Sequence, residues 1–233
     1  MNSLALCVFL AIAGSAFAAP STVVSKLPDN LYYLTNLTIS ENENRINFIE
    51  VQVNLTDNRF THFAESLRYK NKLVSRTLFN GERNLTGIGF LNFTNQECVI
   101  HYGKLPELRA VQKTVNDCVD ETLYLGEPLL RKVTLNLDQA KKRINFLRIG
   151  VENCSTNQTG YKLTDCVEDV IQSENQQIRK ILNSADRDFQ ISLANYDDLA
   201  KQAMECTYNV VEGLGKSVEN VLRTINECQT KKI

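Results

Sequence analysis

The chain has 233 residues, with 26 Lys and Arg against 27 Asp and Glu, so its formal charge is −1. Charges of both signs are interspersed, which gives no electrostatic reason to expect nucleic acid or an anionic membrane as the main partner. Ten glycines, four prolines and no internal repeat set aside collagen-like and low-complexity classes, leaving a globular chain that is 43% hydrophobic.

Residues 1–18 read as a signal peptide. An apolar run from Leu4 to about Ala13 leads into small residues, and Ala16-Phe17-Ala18 fits the A-x-A cleavage pattern before Ala19-Pro20. The start carries neither Lys nor Arg, a departure from the pattern. The run is far shorter than the roughly 20 residues that cross a bilayer, and nothing later approaches that length, so no membrane span is expected. The terminal NECQTKKI is polar, unlike a lipid-anchor signal. The expectation is an exported, extracellular protein.

Residues 19–97 form an N-terminal region expected to be mostly helical. Arg45 to Leu55 fits an alternating strand and a helix equally, and the pattern does not choose between them. Thr61 to Phe79 is more helical, with Phe63, Leu67, Leu73, Val74 and Leu78 as its apolar members. A turn is expected at Asn80-Gly81, and a loop over Gly87-Ile-Gly-Phe-Leu91. Asn-x-Ser/Thr glycosylation sequons stand at Asn36, Asn54, Asn84, Asn92, Asn153 and Asn157, none with proline in the middle. Asn153 and Asn157 lie close enough to compete, and a bridge at Cys154 would hinder the first.

Cys7 falls within the signal peptide. The other six, Cys98, Cys118, Cys154, Cys166, Cys206 and Cys228, are an even set suited to an oxidising compartment. No C-x-x-C spacing occurs, and the two histidines, His62 and His101, are not clustered with them, so a metal site is the weaker reading. Their successive intervals of 20, 36, 12, 40 and 22 residues are nearly palindromic. A chain that doubles back near residue 160 would nest the pairs as Cys98–Cys228, Cys118–Cys206 and Cys154–Cys166, one of fifteen connectivities.

Steps of three and four mark both arms as amphipathic helices. The first carries Leu108, Val111, Val115, Cys118, Val119, Thr122, Leu125, Leu129, Val133, Leu137, Ala140, Ile144, Leu147, Val151 and Cys154. The second runs Leu163, Val167, Val170 with Ile171, Ile178, Ile181 with Leu182, Ala185, Phe189, Leu193, Tyr196, Leu199, Ala203, Val210, Leu214, Val218, Val221 and Ile225, with Glu174 interrupting the stripe and Cys206 expected on it between Ala203 and Val210. Pro128 in Gly126-Glu-Pro128 should kink or break the first arm, and the apolar phase that resumes beyond it favours a kink. Bends are expected in the second around Asn195-Tyr-Asp-Asp198, and Gly213-x-Gly215 should loosen it. Gly103 and Pro106 suggest that Cys98 ties a loop to the C-terminal end. The fold class is all-α: a long antiparallel helical hairpin over 98–228 stapled by nested disulfides, with N-terminal helices completing a bundle.

The stretch CVIHYGKLPELRAVQKTVNDC, from Cys98 to Cys118, resembles the opening of the TsetseEP domain of secreted insect proteins. Long helices and later, widely spaced cysteines extend the likeness over roughly 98–228. The resemblance implies export and this fold, and brings no defined activity. The Glu-Pro repeats of the founding protein are absent here. Nested bridges also resemble those of saposin-like lipid-binding helices, but those open with cysteines two residues apart, so that function is not transferred.

No G-x-S-x-G, H-E-x-x-H or phosphate-loop motif occurs, and Asp197 and Asp198 sit amid charged helix surface, so neither an enzyme nor a cofactor is expected. The leading expectation is a non-enzymatic secreted glycoprotein. It would act by recognising an extracellular protein or glycan, or as a structural or defence component of a secreted fluid or gut lumen. The alternative is a carrier of apolar ligands such as lipids between its helices. A seam left uncovered by residues 21–97 would instead draw in a second copy of the chain, making a homo-oligomer.

Overall fold

The computed structural model describes residues 27–231, so the signal peptide expected over 1–18 lies outside the described residues. Six α-helices account for nearly all of it: α1 Asp29–Ser66, α2 Lys70–Gly89, α3 Phe93–Tyr102, α4 Leu108–Gly126, α5 Arg131–Asn157 and α6 Tyr161–Lys231. A short 3-10 turn, Leu67–Tyr69, joins α1 to α2, and no strand occurs among the described residues. Two compact units form among the described residues: 27–43 with 142–178, and 44–141 with 179–231.

In the first unit, the end of α5 and the start of α6 make the tip of the antiparallel hairpin. The turn at 158–160 places Gly160 at φ 61°, a left-handed conformation that favours glycine. Ile144, Leu147 and Val151 of α5, Leu163, Val167 and Ile171 of α6, and Leu31 and Ile39 of α1 are buried at helical spacing. At Gly150 a Cβ would stand 2.7 Å from Val170 Cγ1, so glycine lets α5 and α6 approach closely. Asn42 of α1, also buried, donates from Nδ2 to Asn175 Oδ1 of α6 at 2.9 Å and to the Thr38 carbonyl at 2.8 Å. Glu174 is half-buried and pairs with Arg143 at 3.4 Å, so the charge inside the α6 stripe is matched across the hairpin.

The second unit stacks three apolar clusters against α6. Val74 and Leu78 of α2 meet Val115 of α4 and Leu214 and Val218 of α6. Ala64, Leu67 and Val119 meet Ala203, and Leu85 and Cys98 meet Ile225. Each contribution recurs every three or four residues, which is why these segments are helices. The N-terminal helices therefore cover the hairpin's apolar stripe, as a bundle requires.

The open choice over residues 45–55 falls to helix: Ile46 and Ile49 are buried, whereas Val51 and Leu55, which a strand would bury beside Ile49, are exposed. Several other local expectations change. Asn80-Gly81 is not a turn. Gly81 lies inside α2, where a Cβ would come within 3.0 Å of Leu105 Cδ1 and Val218 Cγ1. Residues 87–89 extend α2, so that only Phe90 and Leu91 of the expected loop lie outside a helix, followed by the Asn92 cap. Cys98 lies in α3, begun by the Asn92 cap and ended at Gly103, so its bridge joins helix to helix.

Pro128 breaks the first arm instead of kinking it. Lacking an N–H and clashing with the preceding turn, it ends α4, and a four-residue turn leads to α5. Beside the break Gly126 and Leu130 are buried, with Leu129 half-buried and Leu125 exposed, and the expected phase resumes at Val133 and Leu137, both buried. The second arm shows neither expected interruption. Around 195–198 only Tyr196 points inward, while Asp197 and Asp198 are exposed and leave the helix undisturbed. Gly213 and Gly215 flank buried Leu214, with nothing within 4 Å of either Cβ position.

Candidate functional site

Every disulfide has one half on α6. Cys98 of α3 joins Cys228, Cys118 of α4 joins Cys206, and Cys154 of α5 joins Cys166, with Cα separations of 5.9, 6.0 and 5.8 Å. These lie within the usual bridged range. Cys98, Cys118 and Cys154 are buried, Cys166 and Cys228 half-buried, and Cys206 exposed. The buried place beside Cys206 is taken by Thr207, whose hydroxyl donates to the Met204 carbonyl at 3.1 Å. All six sulfurs are thus engaged, and none is left as a thiolate nucleophile.

Of the sequon asparagines, Asn54, Asn84, Asn92, Asn153 and Asn157 are exposed, and Asn36 is half-buried. Five belong to helices: Asn36 and Asn54 to α1, Asn84 to α2, Asn153 and Asn157 to α5. Asn92 differs. It is the extended N-cap of α3, at φ −165° and ψ 173°, and its Oδ1 accepts the Asn95 N–H at 2.8 Å.

A cleft of about 310 Å³ opens in the second unit where Pro128 breaks the first arm. Its walls are Asp57, Phe60 and Thr61 of α1 with Leu123, Tyr124, Gly126 and Glu127. Gly126 is needed there, because a Cβ would lie 2.3 Å from Phe60 Cε1. Phe60 is held in turn by Tyr196 of α6, the ring centroids 4.3 Å apart, and the Tyr196 hydroxyl donates to Asp57 Oδ1 at 3.2 Å. Burial first, and then the negative charge of Asp57, push the Tyr196 phenol above its ordinary value. The cleft is open and shallow, lined by the Phe60 and Tyr124 rings and by the carboxylates of Asp57 and Glu127.

Sequence reasoning did not assemble this cleft. The Gly126-Glu-Pro128 break marked one wall, but the contact between Asp57 and Tyr196 joins residues 139 apart. A second polar cluster was missed as well. Buried Asp188 accepts from Lys132 Nζ and Asn136 Nδ2, each at 2.9 Å, and from Ser184 Oγ at 3.4 Å. Beside it Ser192 Oγ donates to the Leu129 carbonyl at 2.7 Å, so the cluster seats the start of α5 on α6 just past the break. The Lys132 hydrogen bond, opposed by burial, holds the Asp188 carboxyl below its usual value.

Among the described residues no group of three or more His, Cys, Asp or Glu side chains is arranged to hold a metal, and no helix is long and apolar enough to cross a membrane. The class defined is an all-α chain locked by nested disulfides, with five of its six sequon asparagines exposed. Compared with models of protein families, curated proteins and solved structures, the chain has no match.

Proposed function

We propose that this chain is a secreted, N-glycosylated protein without catalytic activity, acting by surface recognition or as a durable structural or defence component of an extracellular fluid or gut lumen. What carries the reading is the placement of all three disulfides across helix–helix contacts, in a chain whose sequon asparagines stand at or near the surface. Cross-linking of this kind lowers the entropy of the unfolded chain, and so limits the transient opening through which proteases act. An insect origin and kinship with TsetseEP-domain proteins belong to the same proposal and rest on the Cys98–Cys118 stretch with the long helices and widely spaced cysteines that follow it.

The alternative, a carrier of apolar ligands, draws on the wide apolar stripes. Against it, much of the stripe on α6 is already occupied: Leu214, Val218 and Ile225 pack on the N-terminal helices. Purification from the native fluid under non-reducing conditions tests the two readings together. Recognition predicts a protein or glycan that co-purifies and cross-links to the chain. A lipid released on organic extraction, with no macromolecular partner, would replace this reading with the carrier.

A further inference from the structure

Phe90, Leu91, Phe93 and Ile100 are, tyrosines aside, the most exposed large apolar side chains among the described residues, at 84, 73, 74 and 73%. All four fall within eleven residues: Phe90 and Leu91 in the connection from α2 to α3, Phe93 at the start of α3 and Ile100 towards its end. An exposed apolar patch of this kind implies something that covers it. The patch has a sequon in its middle: Phe90-Leu91-Asn92-Phe93-Thr94.

We infer that the patch is a seat for the glycan on Asn92, with the first N-acetylglucosamine lying on the Phe90 ring; the inference rests on the glycoprotein reading above. One face of that sugar presents axial C–H groups, whose slight positive charge suits the negative face of an aromatic ring. Phe90 precedes the attachment point by two residues, so their Cα atoms are at most about 7 Å apart. Asn92 is exposed and extended, and its side chain leaves the chain at a turn, not from a helix wall.

The helix cap does not compete with the sugar. The carbohydrate bonds to Nδ2, whereas the atom accepting the Asn95 N–H is Oδ1. One asparagine can therefore start α3 and carry the glycan together. The other five sequons lack this pattern, since none has an aromatic residue two positions before its asparagine.

The test uses the full chain secreted from eukaryotic cells. Glycopeptide mass spectrometry should find Asn92 occupied. Trimming with an endoglycosidase that leaves one N-acetylglucosamine should preserve thermal stability. Thr94→Ala, which abolishes the sequon but keeps the Asn92 cap, should lower Tm by about 2–4 °C, as loss of one good aromatic contact would in a protein of this size. In a Phe90→Ser background the same substitution should change Tm by less than about 1 °C. Equal losses in both backgrounds would overturn the inference, leaving a sugar that is attached but not seated. Sugar on Asn54 or Asn84 with Asn92 bare would overturn it while sparing the glycoprotein reading. An export product bare at every sequon would take down both.

Discussion

Replacing Cys118 with Ala and Cys206 with Ser removes the middle rung, and the size of the effect follows from the nesting. The three bridges span 12, 88 and 130 residues. With the middle bridge closed, the outer one restrains only its two flanks, about 42 residues of its 130. Without it, that loop grows to about 118 residues, since only the 12-residue tip stays closed within it. Chain-entropy arithmetic then puts the loss at about 3.5 kcal/mol, against about 4 for the outer bridge and about 3 for the tip. Cys206 is exposed, so little packing is lost at that end, and most of the effect acts on the unfolded chain. Urea unfolding without reductant would read it as a lower midpoint. A steeper slope should accompany it, because a less restrained chain exposes more surface. A loss below about 1 kcal/mol with an unchanged slope would refute the reasoning, since a rung enclosing the tip must restrain the denatured ensemble.

Gly213→Ala and Gly215→Ala should together stabilise the protein by about 1–2 kcal/mol, because both are helical with open space at the Cβ position; a fall in Tm would show that the pair serves as a bend. Gly126→Ala should destabilise by about 1–3 kcal/mol in chemical denaturation, since its methyl meets the Phe60 ring wedged against Tyr196. The Asp188 carboxyl is depressed in the folded state, so its stabilisation is complete above the unfolded value near ~4 and fades as pH falls through the folded value. Urea midpoints measured down from about pH 5 should therefore decline, and Lys132→Met should make that decline shallower.

The sequence made the hairpin legible because two independent signals agreed. Cysteine intervals nearly symmetric about residue 160 and apolar steps of three and four along both arms require the same doubling back. What stayed illegible depends on tertiary contact. Gly81 looks like half of a turn, yet it is a place where Leu105 and Val218 press on a helix. Asn195 to Asp198 looks like a break because polarity is averaged over the four, whereas only Tyr196 turns inward. Pro128 announced a disturbance but not its size: a turn of four residues shifts the buried position from Leu129 to Leu130. The cleft could not be read at all, since Asp57, Phe60 and Tyr196 meet only after α1 lies on α6.

The Asn42–Asn175 hydrogen bond has a bearing on alignment. Ile171 and Ile178 lie one turn either side of Asn175 on the buried face of α6. Sliding α1 by a turn would set the Asn42 amide against an isoleucine and strand a buried polar group, at a cost of about 1–3 kcal/mol. An aliphatic pair would tolerate such slippage, so these two amides act as a dowel that admits one lengthwise setting of α1 and rejects its neighbours.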